Sequence, residues 1–320
     1  MVRRVAIPLT AFLLAVTGCG VFSGEKAAEQ QPLERTTLRV GVGSAIDTAP
    51  LRLAVSEGRF QAAGLRVELV DQGQNDGLKQ LTDGQLDVAF ASDVAMFRAS
   101  ASGSALQLQG EAYTSGSNTM ALVTLPDSKY TEPSVKKTPS IAVNMLDDLG
   151  TLAARSTLGT AGVDKAKIKF VARPFEQMTQ VLKDKGADAA WMIEPFITKA
   201  EKEFGARILA DGARGATLEL PVSSYASNGL FAQANPRTLA LFRRILGEAQ
   251  QRANDPAVVR AALPRISDID ATTASLISLG TYPSTLNGIR LQRVADLMHS
   301  NGVLADRFDV QSLLPGAGAP

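Results

Sequence analysis

The stretch TLRVGV at residues 37–42 gives the first indication of the fold class, because its leucine and two valines occupy every second position. This alternation is typical of a β-strand whose two faces have different surroundings. A helix is predicted next, since Thr48-Ala49-Pro50 offers a cap and a proline suited to a first helical turn, and Gly58 can end the helix. The stretch therefore begins a strand-helix pattern.

That pattern continues for two further strands. Apolar residues alternate at residues 65–69, a helix is predicted at residues 77–83 before Gly84, and residues 86–90 form a short apolar run. Such a run is typical of a buried parallel strand. Together these segments predict a βαβαβ unit.

The same order of segments returns further along the chain. The predicted elements are a strand at 141–143, a helix at 147–158, a strand at 168–171, a helix at 176–185 and a strand at 189–193. In both units the first two strands begin 27 residues apart, at Leu38 and Leu65 and at Ile141 and Ile168. The sequence therefore predicts an α/β protein of two lobes, each a mostly parallel sheet flanked by helices, with a ligand cleft where the carboxyl ends of the strands face each other.

Residues 235–314 have helical rather than alternating apolar spacing, and helices are predicted to begin at Asn235-Pro236, Asp255-Pro256 and Asn287. We expect these helices to pack back on the first lobe.

The lobe boundaries follow from that packing. Lobe 1 is predicted to comprise residues 37–125 and 226–320, and lobe 2 residues 126–225. The chain would then cross between the lobes near Leu125-Pro126 and near residues 223–225. Double crossings of this kind allow hinge closure.

Composition excludes several classes of protein. Hydrophobic residues make up 45% of the 320 residues and charged residues 20%, which is typical of a soluble globule. The formal net charge is +1 and basic residues are scattered, so nucleic acid is not an expected partner. The single histidine, His299, lies near the end of a predicted helix, and with one cysteine the chain offers no zinc site and no Ser-His or Cys-His pair.

The N-terminus has the pattern of an export signal. Arg3 and Arg4 precede an apolar run at residues 5–16, which is too short to span a bilayer. The run ends in VTGC at residues 16–19, which resembles a bacterial lipobox. Residues 1–19 are thus predicted to be a lipoprotein signal peptide, with Cys19 as the lipidated residue that carries diacylglycerol and palmitate.

Residues 20–36 contain little to bury and are predicted to be a flexible tether. Anchor and tether together predict a globule held at the cell membrane, on its extracytoplasmic face.

The chain also resembles a known family over residues 37–235. The segments that show the resemblance are LRVGV at 38–42, APL at 49–51, EGRF at 57–60, GLRVE at 64–68, DGQLDVA at 83–89, GADA at 186–189 and EP at 194–195. In order and spacing these are similar to the nitrate, sulfonate, taurine and thiamine-pyrimidine group of periplasmic binding proteins of type II. The resemblance implies two α/β lobes around a ligand cleft, no cofactor, and delivery of the ligand to an ABC permease driven by its ATPase.

One loop departs from that family. Many relatives have glycine with serine or threonine after the strand corresponding to residues 141–143, whereas this chain has NMLDD at residues 144–148. The bulkier, acidic loop does not favour a sulfonate or nitrate ligand.

Polar residues at the strand ends and near the crossings are the candidate ligand contacts. They are Asp47, Thr48, Ser92, Asp93, Asn118, Asn144, Asp147, Arg173, Glu194 and Tyr225. Helix capping is an alternative role for the first four, and a solvated side chain is an alternative for Arg173. Tyr113 and Asn228 also lie near the crossings, while Trp191 is expected in the core rather than as a stacking platform.

These candidates leave the ligand class open between a sulfonate or taurine-like solute and an aminopyrimidine-like one. The carboxylates suit amino groups, and Arg173 would add a partner for an acidic group, so that a zwitterion satisfies both. The sequence predicts a monomeric binding protein rather than an enzyme. A periplasmic lyase or hydrolase on the same fold is the alternative, and a sensory domain is a third.

Overall fold

The computed structural model describes residues 31–72 and 77–316. The strands are β1 (Thr37–Val42), β2 (Arg66–Asp71), β3 (Ala89–Ser92), β4 (Leu106–Thr114), β5 (Met120–Thr124), β6 (Ser140–Val143), β7 (Lys169–Ala172), β8 (Ala189–Ile193), β9 (Arg207–Asp211) and β10 (Pro221–Asn228). The helices are α1 (Ala49–Ser56), α2 (Arg59–Ala62), α3 (Gly77–Thr82), α4 (Asp93–Ala101), α5 (Leu149–Thr160), α6 (Met178–Lys183), α7 (Phe196–Phe204), α8 (Gly229–Ala234), α9 (Pro236–Ala253), α10 (Pro256–Ile266), α11 (Ala271–Leu276) and α12 (Gly288–Ser300). Among the described residues, no helix is long and apolar enough to span a membrane.

The first lobe is built on strands in the order β2-β1-β3-β10-β4. β1 and β2 are parallel, and β10 is antiparallel to both β3 and β4. A bridge between Val40 and Val88, with a 2.8 Å hydrogen bond from Gly41 N to Val88 O, joins β1 to the segment entering β3. The first predicted βαβαβ unit therefore supplies three neighbouring strands.

The second lobe repeats this order as β7-β6-β8-β5-β9. β6 is parallel to β7 and β8, and β5 is antiparallel to β8 and β9. β1 and β6 lie in separate sheets, as the two-lobe prediction requires. Each sheet thus has four strands that run in the same direction and one antiparallel strand, β10 or β5, which follows a crossing from the other lobe.

The pairing of those two strands places the crossings earlier than the sequence prediction did. β5 ends before residue 125 but already pairs in the second sheet, so the first crossing lies at residues 115–119. Residues 223–225 lie inside β10 and pair with the first sheet, so the second crossing lies at residues 212–220. A short apolar strand carries no local signal that tells which of two sheets it joins.

Burial of Trp191 fixes helix α5 against the second sheet. The Trp191 side chain is 2% exposed and belongs to the core cluster that contains Leu149, Leu152 and Ala153 of α5. Gly150 faces the indole, where a Cβ atom would lie 2.7 Å from Trp191 Cε3. Trp191 is therefore a core residue, as expected.

The folded region begins before residue 37. Leu33 packs against the core of the first lobe, and the Glu34 carboxylate accepts hydrogen bonds from the backbone N–H groups of Arg237 (3.1 Å) and Thr238 (2.9 Å). These N–H groups belong to the first turn of α9, which has no partner for them within the helix. Residues 33–36 are thus part of the fold rather than of the predicted tether. Cys19 and the signal peptide lie outside the described residues.

Candidate functional site

The carboxyl ends of the strands in the two lobes meet each other directly. Ser92, at the end of β3, donates a hydrogen bond to Asp148 after β6, and Arg98 Nη1 of α4 donates to the carbonyl oxygen of Asp147 at 2.6 Å. In addition, Ser278 N of the C-terminal part of the chain donates to Glu194 Oε1 at 2.9 Å. The lobes are therefore closed on each other through polar contacts between their loops.

A small cavity lies between the lobes. Its lining residues are Ile46, Asp47, Tyr113 and Val222 on one side, and Thr119, Met120, Ile193 and Glu194 on the other. Its volume of about 20 Å³ exceeds the roughly 10–15 Å³ that holds one water molecule. An organic solute fits only if the lobes separate.

Asp47 brings a buried carboxyl to this cavity from the loop between β1 and α1. Its two oxygens accept hydrogen bonds from Ser44 Oγ (3.0 Å) and Ser223 Oγ (2.8 Å). Burial raises the pKa of Asp47 to about 6, although these hydrogen bonds act in the opposite direction. The group therefore titrates close to neutral pH.

Glu194 brings a second carboxyl from the other lobe, where it follows β8. Thr198 donates to it from its backbone N (3.1 Å) and from Oγ1 (2.9 Å), in addition to the bond from Ser278. Burial raises the pKa of Glu194 against these hydrogen bonds. The residues lining the cavity therefore include two acidic groups and no lysine, arginine or histidine.

Asp93 is fully buried and does not line the cavity. Its Oδ1 accepts a 2.5 Å hydrogen bond from Ser224 Oγ, and its Oδ2 has no partner in the described part of the chain. Burial raises the pKa of Asp93 to about 8, and the nearby charges of Glu111 and Asp47 add to this effect. This carboxyl is mostly protonated at neutral pH.

The other predicted contacts of lobe 1 and the crossings lie elsewhere. Thr48 donates to Ser44 O at 2.7 Å and does not line the cavity between the lobes. Ser92 caps α4 by accepting from Ala95 N at 3.0 Å, so that capping and the contact with Asp148 coexist. Asn118 lies in the first crossing with a left-handed φ of 60°.

Tyr225 belongs to the core rather than to the gap. Its ring packs against Phe90 and Phe242 at centroid distances of 5.8 and 6.2 Å. Asn228, also considered near the crossing, caps α8 by accepting from Leu230 N at 2.9 Å.

The predicted contacts of lobe 2 are at the rim of the gap or away from it. Asp147 is exposed, and Asn144 has a buried Oδ1 with no partner among the described residues. Arg173 is exposed and its Nη1 donates to the carbonyl of the preceding Ala172 at 2.7 Å, so it does not reach the cavity.

The sequence interpretation missed the apolar part of the lining. Ile46, Ile193 and Val222 show only the apolar character that core residues share, so their sequence gives no signal for a site. Met120 and Thr119 were missed because the first crossing was expected further along the chain.

Comparisons with solved structures show the fold. The periplasmic aliphatic sulphonate-binding protein SsuA of Escherichia coli shares 18% identity, with 87% of this chain and 97% of that chain covered and a TM-score of 0.68. The periplasmic nitrate-binding protein NrtA of Synechocystis PCC 6803 shares 13% identity, with 88% of this chain and 85% of that chain covered and a TM-score of 0.69. A Candida albicans protein with the generic periplasmic-binding-protein fold shares 18% identity, with 87% of this chain and 96% of that chain covered and a TM-score of 0.74.

The chain thus has the two-lobed fold of periplasmic binding proteins, which confirms the predicted fold class. No curated protein sequence matches the chain. The model of the NMT1-like family matches residues 31–267, well over half of the chain. The chain therefore belongs to the NMT1-like family.

Proposed function

We propose that this protein is an extracytoplasmic solute-binding protein that captures a small polar organic molecule and delivers it to an ABC importer, formed by a permease and its ATPase. The observation that carries the proposal is the meeting of two sheets of equal strand order at their carboxyl ends, where Asp47 and Glu194 from opposite lobes line one cavity. A ligand held by both lobes stabilises their closed arrangement, because it binds that arrangement more tightly than the open one.

The charge of the cavity supports an amine-bearing ligand, such as an aminopyrimidine-like solute. Carboxylates accept hydrogen bonds from amino groups and attract their positive charge. A sulfonate or nitrate, the ligands named for the structural relatives, would face two acidic side chains with no basic residue in the lining. Taurine carries an amine as well as a sulfonate and is the intermediate case.

Ligand entry requires hinge motion. We place the hinge in the two crossings at residues 115–119 and 212–220, which link the sheets of the two lobes. The lobes then comprise about the predicted ranges, with residues 120–125 moved to lobe 2 and residues 221–225 to lobe 1. The protein acts as a monomer in this proposal, because each chain contains both halves of its site.

The place of action rests on the N-terminal sequence. A signal peptide cleaved in front of Cys19 would export the chain and leave a lipidated cysteine at the mature N-terminus. Such an anchor would hold the protein at the outer face of the cytoplasmic membrane, where a permease is within reach. Metabolic labelling with palmitate tests this assignment, since Cys19→Ala would abolish incorporation.

Calorimetry on protein stripped of ligand tests the ligand class. Aminopyrimidines should bind saturably, alkanesulfonates and nitrate should not, and Asp47→Asn should weaken the binding about tenfold through loss of a charge-assisted contact. Asparagine is the suitable replacement because both partners of Asp47 are serine hydroxyls, which can accept from an amide as well as donate. Asp127→Asn, on an exposed position, is the control. Binding of the simple anions alone would refute the amine proposal.

A second candidate function is a periplasmic lyase or hydrolase. The observation that favours it is Asp47, since a buried carboxyl with a pKa of about 6 is suited to acid–base catalysis near neutral pH. Incubation of each bound solute with the protein separates the two functions. A binding protein releases the solute unchanged, whereas an enzyme converts it to a product of different structure.

A further inference from the structure

A groove of about 340 Å³ lies on lobe 1 and shares no lining residue with the cavity between the lobes. β4 and α9 form two of its walls, and the segments around residues 283–286 and 314–315 form the others. Its volume falls within the range of small-molecule sites, which begins at roughly 300 Å³.

Arg243 of α9 brings an unneutralised positive charge to this groove. Its Nη1 donates to Gln109 Oε1 at 2.6 Å, and the guanidinium forms no ion pair with any of the described residues. Half-burial lowers the pKa of Arg243, whereas its neighbour Arg244 is exposed and pairs with Glu248 at 2.8 Å. Most of the five guanidinium N–H donors of Arg243 therefore remain available for a ligand.

The acidic group in the lining does not offset this charge. Glu111 is fully buried and accepts from Arg290 Nε (2.9 Å) and Nη2 (2.8 Å), and from Asn287 N (2.9 Å). A bidentate arginine pair neutralises the carboxylate. The groove as a whole is therefore positive.

The amide of Gln109 is held in one orientation by its own partners. Its Nε2 donates to Ser227 Oγ at 2.7 Å, in a buried position, so its oxygen faces Arg243. A neutral partner positions the guanidinium without cancelling its charge. Next to this polar end the groove has an apolar wall, formed by Leu246, Pro283, Leu286, Leu314 and Pro315.

We propose that this groove is a second binding site, for a small organic carboxylate with a short hydrocarbon body. The carboxylate pairs with Arg243 and the hydrocarbon lies against the apolar wall. The site is independent of the proposed transport ligand, because it lies within one lobe and does not require closure of the lobes.

The probe for this site is hexanoate, compared with hexanamide and hexylamine, in titrations of the purified protein by calorimetry. Hexanoate should saturate the protein at one molecule per chain. It should bind at least about tenfold more tightly than uncharged hexanamide or cationic hexylamine, because neither of these can form the charge-assisted pair with Arg243. Arg243→Gln should weaken hexanoate binding about tenfold. Arg244→Gln, one residue away on the exposed face of α9, should leave it unchanged.

A second measurement covers the case in which Arg243→Gln fails to fold, as judged by thermal melting. In the wild-type protein, hexanoate should shift the backbone amide resonances of Gly110 and Gln250, and Thr285→Phe, which fills the groove from an exposed position, should suppress these shifts. Absence of saturation by hexanoate, equal affinity of the three probes, or shifts at Asp47 and Glu194 instead of the groove would overturn the proposal.

Discussion

The charge of Asp47, which lies in the proposed ligand site, depends on pH. Its carboxyl is mostly neutral below its pKa of about 6 and carries a negative charge above it. We therefore expect the affinity for an amine-bearing ligand to rise as the pH is raised through about 6, because the ionised carboxylate attracts the cation. Calorimetric titrations at about one pH unit on either side measure the change. A falling affinity over this interval indicates an anionic ligand and contradicts the proposed class.

Asp93 makes the stability of the protein decrease as the pH rises. Its pKa is about 8 in the folded protein and 3.8 in its ordinary state, so the folded protein holds the proton more tightly than the unfolded chain. The free energy of unfolding should therefore decrease as the pH rises from about 4 to about 8. Asp93→Asn removes this contribution, and urea unfolding at both ends of the interval should show a smaller decrease than in the wild type. An unchanged slope would show that Asp93 is already ionised in the folded state.

At the scale of residues, two of the candidate contacts chosen by loop position lie in the lining of the cavity. Glu194 immediately follows β8, and Asp47 lies in the loop after β1. The structure brings both to the cavity. Arg173 satisfies the same rule but points to its own backbone, because side-chain direction is decided by contacts that local sequence does not contain. Tyr225 was placed near a crossing that in fact lies earlier, so its burial in the core was not predictable from its position.

At the scale of elements, Glu34 tests where the fold begins. Burial raises the pKa of Glu34, but hydrogen bonds from Thr238 and Arg237 outweigh that effect and lower it to about 2. Its contribution to stability is therefore present above its ordinary pKa of 4.5 and lost as the pH falls towards 2. Glu34→Gln should lower the free energy of unfolding at neutral pH by about 1 kcal/mol, the usual effect of losing a helix cap.

Urea unfolding at neutral pH measures this effect, with Glu132→Gln, at an exposed position, as the control. Equal stability of the Glu34 variant and the wild type would mean that residues 33–36 behave as a tether after all.

Two glycines of α5 allow a matched test of its packing. A Cβ atom at Gly150 would lie 2.7 Å from the Trp191 ring, which is held in the core, whereas one at Gly159 would meet only the flexible end of Lys165 at 2.8 Å. Gly150→Ala should destabilise the protein by about 1–3 kcal/mol through overpacking. Gly159→Ala should be neutral or stabilising by up to about 1 kcal/mol, because alanine favours the helix. Thermal unfolding compares them, and equal melting temperatures would argue against the α5–Trp191 contact.

Element order was predictable from the sequence because it follows from apolar periodicity and from caps. The alternation in TLRVGV identified β1, and Asn287 was correctly placed as the cap of α12, where its side chain accepts from Arg290 N at 3.1 Å. The direction and partner of β5 were not predictable, since its five residues are all buried and would suit either sheet.

At the scale of the whole molecule, the repeated βαβαβ unit predicted two similar lobes, and the two sheets do have the same strand order. The closeness of the lobes was not predictable. It depends on contacts such as Arg98 to Asp147 and Glu194 to Ser278, which join residues far apart in sequence. In the proposed function, such contacts have to break before a solute can enter between the lobes.

Native mass spectrometry of the purified protein can identify the solute that stays bound to it, on which the proposed function depends. We expect one amine-bearing molecule per chain, released unchanged on denaturation and retained far less by the Asp47→Asn variant than by the Asp127→Asn control. A nitrate or simple sulfonate retained equally by both variants would contradict it.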